Sequence, residues 1–443
     1  MKVKRLDEFM KKETASTAKQ QPTPQYEIVE FYREIEFQET ELGKIPREWR
    51  IEKLGNIITY VKGKKPNRLY DEKVSEDFLP YLTAEYMRGL EKPKWCNLRE
   101  DSKIIKVQSD DIIMIWDGSY SGHVFTGFEG VLASTMVKIT SKQNIDKKFL
   151  YYYLSANYHK IRGTTIGTGI PHVNKKVFEE LPTPILPLNE QKSIAEILST
   201  VDRTIEGVDE SVARLERLKR ALMRELLTGR VRVREENGKL VFYRETEFQE
   251  TEIGKLPREW GIVKLEKIAD IITGPFGSQL RKSELTNNGI KVYTQENVLN
   301  RNFEIGDLYI SKEKFEELKI FEIKPNDILI TIRGTIGKAT VVPKHAKKGI
   351  IHTNLAIIRL KHGGILPEFI ELVFNESEIL IKQVKSKHST TTIPALYGKT
   401  LKQLKIMLPQ LAEQRNIVVI YNSIHEAIEI YHKEKEKLER LKR

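Results

Sequence analysis

A long segment of this sequence occurs twice, and the duplication constrains the fold more than any other feature. Residues 31–51 and 242–262 are identical at 17 of 21 positions. A second pair of matching segments, residues 187–194 and 410–417, follows at a larger offset. Self-similarity of this kind indicates that one structural unit is built twice. The chain has 443 residues, more than one hydrophobic core usually serves, so we predict two similar domains.

The two stretches between the matching segments, about 52–185 and 263–408, are mostly dissimilar. Short islands of common pattern remain within them, and the clearest consists of an apolar strand that runs into a glycine-containing turn. The islands pair DIIMIWDGSYSG (111–122) with DILITIRGTIGK (327–338), and YLTAEYM (81–87) with VYTQENV (292–298). We therefore expect two equivalent scaffolds that present different side chains.

A long helix is predicted after each dissimilar stretch, because apolar residues there alternate in steps of four and three, the heptad seam of a coiled coil. The first seam is Ile194, Leu198, Val201, Ile205, Val208, Val212 and Leu215, and the second is Ile417, Tyr421, Ile424, Ile428, Tyr431 and Leu438, with Lys435 at one seam position. The hexapeptide LERLKR occurs in both helices. The first helix is expected from about Glu190 to Leu227, ending before Gly229.

Such a seam needs a partner, and the chain supplies both helices. Packing the two helices antiparallel is the simplest closed arrangement, and homodimerisation through the seam is the alternative. The second helix ends at Arg443, whereas the first continues through ALMRELLTGR. We therefore expect residues 1–20 to complete the bundle of the second helix.

The composition indicates a protein that attracts polyanions. A formal net charge of +12 and a pI near 9.3 attract nucleic acid first and anionic membranes second. The longest apolar runs, such as IIMIW (112–116), are too short to cross a bilayer, and the N-terminus lacks the apolar core of a secretory signal. The single cysteine, Cys96, excludes an internal disulfide and a cysteine-rich zinc site. We expect a cytoplasmic location.

Catalytic motifs are not recognisable in this sequence. The segment GTIGKAT (334–340) resembles a phosphate-binding loop, but Ile332 and Ala339 stand where that motif needs Gly and Ser or Thr. The nine histidines form no HExxH pair, and the Asn/Asp-Pro-Pro-aromatic string of adenine methyltransferases is missing. We therefore predict no catalytic residue and no metal ligand.

Three segments of the first dissimilar stretch offer donors to DNA. KGKKPNR (62–68) places four cations around a proline, a pattern typical of a phosphate-contacting loop, although a solvated turn would have the same composition. The turn after the strand at 112–116 and the polar loop 162–176 hold hydroxyl, aromatic and imidazole groups, and an ordinary linker explains the second almost as well. The candidates are Lys62, Lys64, Lys65, Asn67, Arg68, Trp116, Ser119, Tyr120, Thr164, Thr165 and His172.

The second dissimilar stretch has candidates at matching places. Arg333 follows an apolar strand, where its guanidinium can donate twice to a guanine, and a surface salt bridge is the alternative role. Different side chains at matching places of the two stretches suggest that different base sequences are read. The candidates are Ser278, Gln279, Arg281, Lys282, Gln295, Asn297, Arg333, Thr335, Lys387, His388 and Thr391.

With these residues together, the chain resembles the specificity subunit of type I restriction-modification systems over essentially its full length. The resemblance depends on the motif ExGxxPxxW at 41–49 and 252–260, and on the strand and glycine corners at 111–118 and 327–334. It also includes the helix starts LPLNEQ and LPQLAEQ and the segment LLTGRVRV (226–233).

The resemblance implies an α+β fold in which two globular mixed-sheet target-recognition domains are separated by two long helices that form an antiparallel coiled coil, with a pseudo-twofold internal repeat. Each domain would read one half of a split DNA site, and the helices would set the unread spacer. Catalysis would come from partners: two methyltransferase (modification) subunits that methylate adenine N6, and restriction subunits that translocate and cleave DNA. S-adenosylmethionine, ATP and Mg²⁺ would be bound by those partners and not by this chain.

We expect the following division of the chain: an N-terminal tail or helix (1–30), a first recognition domain (31–186), a central helix (187–229), a second recognition domain (230–409, with its repeated lead-in at 242–262) and a C-terminal helix (410–443). Two other classes of function are alternatives. One is a self-contained DNA-modifying or DNA-cleaving enzyme, which the missing motifs disfavour, and the other is a coiled-coil scaffold that binds only protein.

Overall fold

The computed structural model describes residues 34–442 except 102, 143–144, 168 and 388–394. The expected N-terminal tail or helix, and the expected contribution of residues 1–20 to a helix bundle, lie outside the described residues. The chain divides into two compact units. The N-terminal unit contains described residues up to Gly207 and from Lys435 onward, and the C-terminal unit contains Val208–Glu434. Because each unit contains part of both long helices, the expected domain limits stay predictions.

The N-terminal unit is built from short strands and helices that precede the first long helix. Its strands are β1 (Phe37–Thr40), β2 (Gly43–Pro46), β3 (Arg50–Lys53), β4 (Ile58–Lys62), β5 (Phe78–Leu82), β6 (Lys94–Asn97), β7 (Lys106–Val107), β8 (Ile112–Ile115), β9 (Val124–Phe125), β10 (Gly130–Leu132), β11 (Met136–Ser141) and β12 (Pro182–Ile185). Its helices are α1 (Leu54–Ile57), α2 (Ala84–Met87), α3 (Lys147–Ala156), α4 (Tyr158–Gly163) and α5 (Lys175–Glu179), and α6 (Leu188–Leu226) begins here.

Two four-stranded sheets form the centre of the N-terminal unit. One is antiparallel, in the order β4, β11, β8, β9, and the other is mixed, in the order β6, β5, β10, β7, with β5 and β10 parallel. Strand β8 is buried on both faces: Ile112 and Met114 belong to a core with the helices, and Ile113 and Ile115 to a second core with the mixed sheet. Burial on both faces explains why this strand is apolar without alternation.

The C-terminal unit has strands β13 (Val231–Glu236), β14 (Lys239–Arg244), β15 (Phe248–Thr251), β16 (Gly254–Pro257), β17 (Gly261–Lys264), β18 (Ala269–Thr273), β19 (Ile290–Tyr293), β20 (Tyr309–Ile310), β21 (Ile328–Thr331), β22 (Ala339–Val341), β23 (Gly349–Ile351), β24 (Leu355–Leu360) and β25 (Lys405–Leu408). Its helices are α7 (Leu265–Ile268), α8 (Gln295–Leu299), α9 (Lys312–Glu317), α10 (Pro367–Glu376), α11 (Glu378–Lys387), α12 (Gly398–Lys402) and α13 (Leu411–Leu441). Helix α13 ends in the N-terminal unit.

The same sheet order recurs in the C-terminal unit, although the sequences differ. Strands β18, β24, β21 and β22 form an antiparallel sheet in the order of β4, β11, β8 and β9, and β20, β19 and β23 form a mixed sheet in the order of β6, β5 and β10. The parallel pair is also conserved, since β19 runs parallel to β23. The duplication therefore extends through the dissimilar stretches as one repeated scaffold.

The repeated motif ExGxxPxxW closes each unit through hydrogen bonds. In the hairpin that contains each motif, Gln38 or Gln249 donates its side-chain amide to the carbonyl oxygens of the motif's proline, of the arginine after it and of the tryptophan. The tryptophan indole donates to the glutamate at the start of a long helix: Trp49 to Glu190 in α6 (3.0 Å), and Trp260 to Glu413 in α13 (3.2 Å). These bonds explain why the hairpin and the helix starts are the most similar parts of the two halves.

The glutamine of each helix start is buried and ties the helix to its unit. Gln191 donates to the carbonyl of Leu186 (2.8 Å) and accepts from the amide of Asp146 (2.9 Å). Gln414 donates to the carbonyl of Pro409 (2.9 Å) and accepts from the amide of Leu366 (2.9 Å). The two helices therefore leave their units by the same construction.

The long helices lie against each other in opposite directions. In the C-terminal unit, Arg232 of strand β13, the strand that follows α6, forms an ion pair with Glu413 at the start of α13 (Nε to Oε1, 2.6 Å). Further from these ends, burial lowers the pKa of His425, and the nearby charges of Arg301 and Lys219 lower it further. In the N-terminal unit, the Lys442 ammonium, after the end of α13, contacts Asp202 in the first half of α6 (2.6 Å). The predicted fold class, α+β units with an antiparallel pair of long helices, is confirmed.

Helix α6 ends where the sequence indicates. Gly229 has φ of +66°, the left-handed conformation in which glycine ends helices. A Cβ atom at Gly229 would also come within 2.3 Å of the Pro257 ring and 3.2 Å of the Trp260 ring. The end of the helix is therefore shaped to the repeated motif of the C-terminal unit.

Within the described ranges, the structure contains no helix that is both long and apolar enough to pass through a membrane.

Candidate nucleic-acid interface

Strand β8 of the N-terminal unit ends in a corner that is held by backbone hydrogen bonds. The amide of Trp116 donates to the carbonyl of Thr135 (2.8 Å), and the amide of Val173 donates to the carbonyl of Trp116 (2.9 Å). Gly118 has φ of +109°, which glycine adopts without steric cost, and its amide donates to the carbonyl of Pro171 (2.8 Å). We call residues 116–118, 134–136 and 171–173 the N-terminal corner.

Strand β21 of the C-terminal unit ends in a corner with the same connections. The amide of Ile332 donates to the carbonyl of Asn354 (2.8 Å), and the amide of Leu396 donates to the carbonyl of Ile332 (2.8 Å). Gly334 has φ of +73°. We call residues 332–334, 353–355 and 395–396 the C-terminal corner.

A glycine fixes one basic or polar loop against each corner. A Cβ atom at Gly63 would lie 2.1 Å from the carbonyl oxygen of Ala133, and one at Gly274 would lie 2.3 Å from that of His352. Both distances are far below van der Waals contact, so only glycine fits. The loops that start at these glycines are therefore held at the same edge of the equivalent sheets.

Opposite charges occupy equivalent positions in the two corners. Asp117 forms an isolated β-bridge with His172, and Arg333 forms the corresponding bridge with Ala395. The backbone is thus the same at these positions while the side chains differ. A scaffold that keeps its backbone and changes its exposed groups is suited to recognising different ligands of one kind.

The N-terminal corner holds a group of three charged or titratable side chains. One oxygen of the Asp117 carboxylate lies 2.7 Å from Nζ of Lys62, and the other lies 2.7 Å from Nδ1 of His172. Asp117 is only 14% exposed, whereas about half of the Lys62 and His172 side chains is exposed. The structure therefore brings two of the predicted candidates together around a carboxylate that the sequence analysis did not select.

The C-terminal corner presents a cation and a buried amide. Arg333 is exposed, and burial, with the nearby Arg333 charge, lowers the pKa of His352. The Oε1 atom of Gln295 is buried and has no hydrogen-bond partner among the described residues, and it lies 3.5 Å from where a Cβ atom of Gly334 would be. Arg333, Gln295 and the Gly274 loop therefore meet at one place.

The loop KGKKPNR presents its lysines between two buried anchors. Gly63 and Pro66 are buried, and Lys64 and Lys65 between them are exposed. The end of the loop turns to other partners: the amide of Asn67 contacts Asp101 (3.3 Å), and the Arg68 guanidinium lies over the Tyr70 ring (4.8 Å). Lys64 and Lys65 are therefore the candidates of this loop that are most available to a phosphate.

The loop after Gly274 presents an aromatic side chain that the sequence analysis did not select. Phe276 is 68% exposed, and its amide donates to Oε1 of Gln279 (2.8 Å). Gln279 therefore uses its oxygen within the loop and retains its amide donors. Ser278, Arg281 and Lys282 are exposed in the same loop.

The remaining candidates of the N-terminal unit have internal contacts as well. The carbonyl of Ser119 accepts from the Arg162 guanidinium, the Tyr120 ring lies 3.6 Å from the Arg88 guanidinium carbon, and the hydroxyl of Thr164 donates to the carbonyl of Ile161 (3.0 Å). Thr165 is half-buried. These contacts place Arg88 and Arg162, two further cations, beside the N-terminal corner.

One predicted contact needs correction. Asn297 is 1% exposed, its Oδ1 accepts from the amide of Thr294 (2.8 Å), and its Nδ2 donates to the carbonyl of Ile305 (2.8 Å). It holds a turn together and cannot reach DNA, so that prediction was wrong. Trp116 is half-buried and its ring stacks on Tyr60, with ring centroids 5.0 Å apart, so its contact with DNA stays a prediction.

Three candidates of the C-terminal unit lack a described side chain. Lys387 is the last residue of α11, and its side chain lies outside the described part. His388 and Thr391 lie outside the described residues. Thr335, by contrast, is exposed beside Gly334.

One signal in the sequence indicates that the two corners are equivalent. IPHV at 170–173 and IPAL at 393–396 share the offset of the matching helix starts, so the equivalence of His172 and Ala395 was readable. The pairing of Asp117 with Lys62 had no local signal. Burial, and then the Asp101 charge, raise the pKa of the Cys96 thiol to about 12, which disfavours the reactive thiolate form.

Comparison with known proteins gives the family. The model of the type I restriction modification DNA specificity domain matches residues 46–217 and 257–440. The type I restriction enzyme MjaVIII specificity subunit of Methanocaldococcus jannaschii is 32% identical over 422 residues, 94% of this chain and 95% of that protein. The EcoKI specificity subunit of Escherichia coli strain K12 is 24% identical over 85% of this chain and 82% of that protein.

The fold is shared with a solved structure. The S subunit of a type I restriction-modification system from M. genitalium superposes with a TM-score of 0.54 at 17% identity, over 89% of this chain and 94% of that one. The chain belongs to the type I restriction-modification DNA specificity family.

Proposed function

We propose that this chain is a specificity subunit that reads a bipartite DNA site and brings methyltransferase and restriction subunits to it. The observation that carries the proposal is the pair of equivalent corners, because each has the same glycine-dependent backbone and a different set of exposed donors. A net charge of +12 supplies the attraction to phosphates. Family membership supports the same function.

Two recognition domains on one chain bind DNA more tightly than either domain alone. Linking two weak half-site contacts makes the second contact intramolecular, provided that the linkage matches the distance between the half-sites. Helices α6 and α13 both run from one unit into the other, so they are the elements that fix this distance. We infer that they set the length of the unread spacer.

The chain is proposed to have no catalytic activity of its own. Its relatives are named specificity subunits, and we infer that adenine methylation and DNA cleavage are performed by two modification subunits and by restriction subunits. S-adenosylmethionine, ATP and Mg²⁺ would be bound by those partners.

The test uses the purified full-length chain and a random DNA library. We expect the bound DNA to contain two short specific blocks with a fixed spacer, and footprints to show two separated patches. Incubation with DNA, Mg²⁺, ATP and S-adenosylmethionine should give no methylated or cleaved product. Turnover would support the enzyme alternative, and the absence of any specific footprint would support the protein-only scaffold.

The double substitution of Lys64 and Lys65 by alanine should weaken DNA binding on all sequences to a similar degree. Each phosphate contact contributes about 0.9 to the slope of log K against log salt, so the slope should become shallower by about two. Fluorescence anisotropy across a salt series measures both effects. The matched control replaces Lys239 and Lys267 by alanine, and both of these lysines are exposed. Lys267 lies before the start of β18, whereas Gly274 follows the end of that strand. An equal loss in the control would indicate general charge and not a loop contact.

A further inference from the structure

The N-terminal corner contains a His172 ring whose orientation is determined from several sides. Its backbone pairs with Ile166 in both directions (2.8 and 3.0 Å). Its Nδ1 lies 2.7 Å from Asp117, and its Cδ2 lies 3.1 Å from where a Cβ atom of Gly167 would be. The ring edge with Cε1 and Nε2 is the part left for a ligand, and among the described residues Nε2 has no hydrogen-bond partner.

The carboxylate determines which nitrogen carries the hydrogen. An ionised carboxylate only accepts hydrogen bonds, and Asp117 is also paired with the Lys62 ammonium at 2.7 Å. The 2.7 Å contact with His172 therefore requires a hydrogen on Nδ1. In the neutral ring, Nε2 is then an acceptor with a fixed direction.

The C-terminal corner has the opposite chemistry at the equivalent positions. Arg333 replaces the acid and Ala395 replaces the histidine, as the matching β-bridges show. Among the residues that the structure describes, no carboxylate lies within ion-pair distance of Arg333. At the bridged position this corner therefore presents the donors of Arg333, where the N-terminal corner presents the acceptor of His172.

We propose that His172 reads a base in the N-terminal half-site, that Asp117 is its positioning residue, and that Arg333 is the base-reading residue of the C-terminal half-site. An acceptor in the major groove pairs with the exocyclic amine of adenine or cytosine, whereas an arginine pairs with O6 and N7 of guanine. The proposal deepens the proposed function and depends on it.

The experiment selects DNA from a random library with the full-length chain and its variants and sequences the bound fraction. His172→Ala and His172→Gln should lower the preference for an amine-bearing base, at one position of one half-site, by roughly fivefold to tenfold. Arg333→Ala should lower the preference for a guanine in the other half-site only. Each variant is thus the matched control for the other.

The positioning role of Asp117 is tested by a double-mutant cycle. Asp117→Asn keeps the shape of the side chain but removes the ionised partner of Lys62 and His172. It should reduce discrimination at the same base position as His172→Ala, and the double variant should discriminate no less than His172→Ala alone. A purely structural role of Asp117 would instead lower affinity at all positions, or give additive losses.

The outcomes separate the two proposals. If the wild-type chain selects no bipartite site, the proposed function is wrong. If it selects one and His172→Ala leaves every base preference unchanged, or changes the preference at a guanine, the assignment of His172 is wrong while the function stands. Melting temperatures close to that of the wild type confirm that the variants fold.

Discussion

Replacing Arg232 by methionine should lower the free energy of unfolding of the C-terminal unit by about 3–5 kcal/mol, the usual cost of removing one partner from a buried ion pair. The Arg232 side chain is 5% exposed. Its guanidinium contacts Glu413 (2.6 Å), Glu245 (2.5 Å) and Glu259 (3.2 Å). Methionine would leave the Glu413 and Glu245 carboxylates with little exposure and without a cation.

The loss of stability should also affect the repeated motif. Glu413 accepts from the indole of Trp260 and pairs with Arg232, so one carboxylate joins β13, the start of α13 and the motif hairpin. If the Glu413 side chain turns to solvent in the variant, its hydrogen bond with the Trp260 indole is lost as well. Urea denaturation followed by Trp fluorescence measures the change.

The acid side of the stability profile should change in the same variant. Burial alone would raise the pKa of Glu245, but the backbone amides of Glu247 and Thr246 and the Arg232 guanidinium outweigh it and hold that pKa below the ordinary 4.5. A lowered folded-state pKa contributes stability that is present above the unfolded value and is lost as the pH falls through the folded value. Wild-type stability should therefore decline below about pH 4.5, and Arg232→Met should show a weaker decline.

A matched control lies two residues away on the same strand. Arg234 is 50% exposed and pairs with Glu236 at 2.5 Å, so Arg234→Met should cost at most about 1 kcal/mol. Similar losses for the two variants would show that the Arg232 network contributes no more than a surface ion pair.

The second large effect is expected from shortening both long helices together. Deleting 209–215 from α6 and 429–435 from α13 removes one heptad from each, which keeps the apolar seams in phase. These segments lie between the observed contacts of Asp202 with Lys442 and of Arg232 with Glu413. At 1.5 Å per residue the change is about 10 Å, the length of about three base pairs of DNA at 3.4 Å each.

The preferred spacer should therefore become shorter by two or three base pairs. The half-sites would also turn by nearly a third of the helical repeat of about 10 base pairs, so even the best new site should bind more weakly than the wild-type site. Library selection with the full-length variant measures the spacer directly. Inserting one heptad at the same two places is the control and should lengthen the spacer. An unchanged spacer in both variants would refute the role of the helices as a ruler.

The agreement between sequence and structure is greatest where the signal is periodic or repeated. The first long helix, expected from about Glu190 to Leu227, is observed over Leu188–Leu226, and the apolar run at 112–115 is a strand buried on both faces. Heptads and buried strands are local patterns, because each residue's environment follows from its neighbours in the chain. The repeated segments of the sequence likewise revealed two copies of one scaffold.

The candidate site was predicted less well, and Asn297 shows why. It stands in an island equivalent to the one at 81–87, and its amide is as suitable for DNA as for a turn. Only the hydrogen bonds to the carbonyls of Asn302 and Ile305 decided between them. Phe276 was missed because an exposed phenylalanine looks like any core residue in the sequence.

By itself the sequence determined the number of units, their common scaffold, the two long helices and the positive charge, since repetition and periodicity are properties of the chain alone. The tertiary structure alone decided which side chains meet. Asp117 reaches His172 across 55 residues, and Arg232 reaches Glu413 across 181. Contacts of that range are set by how sheets close and helices return, and a single sequence carries no local pattern that records them.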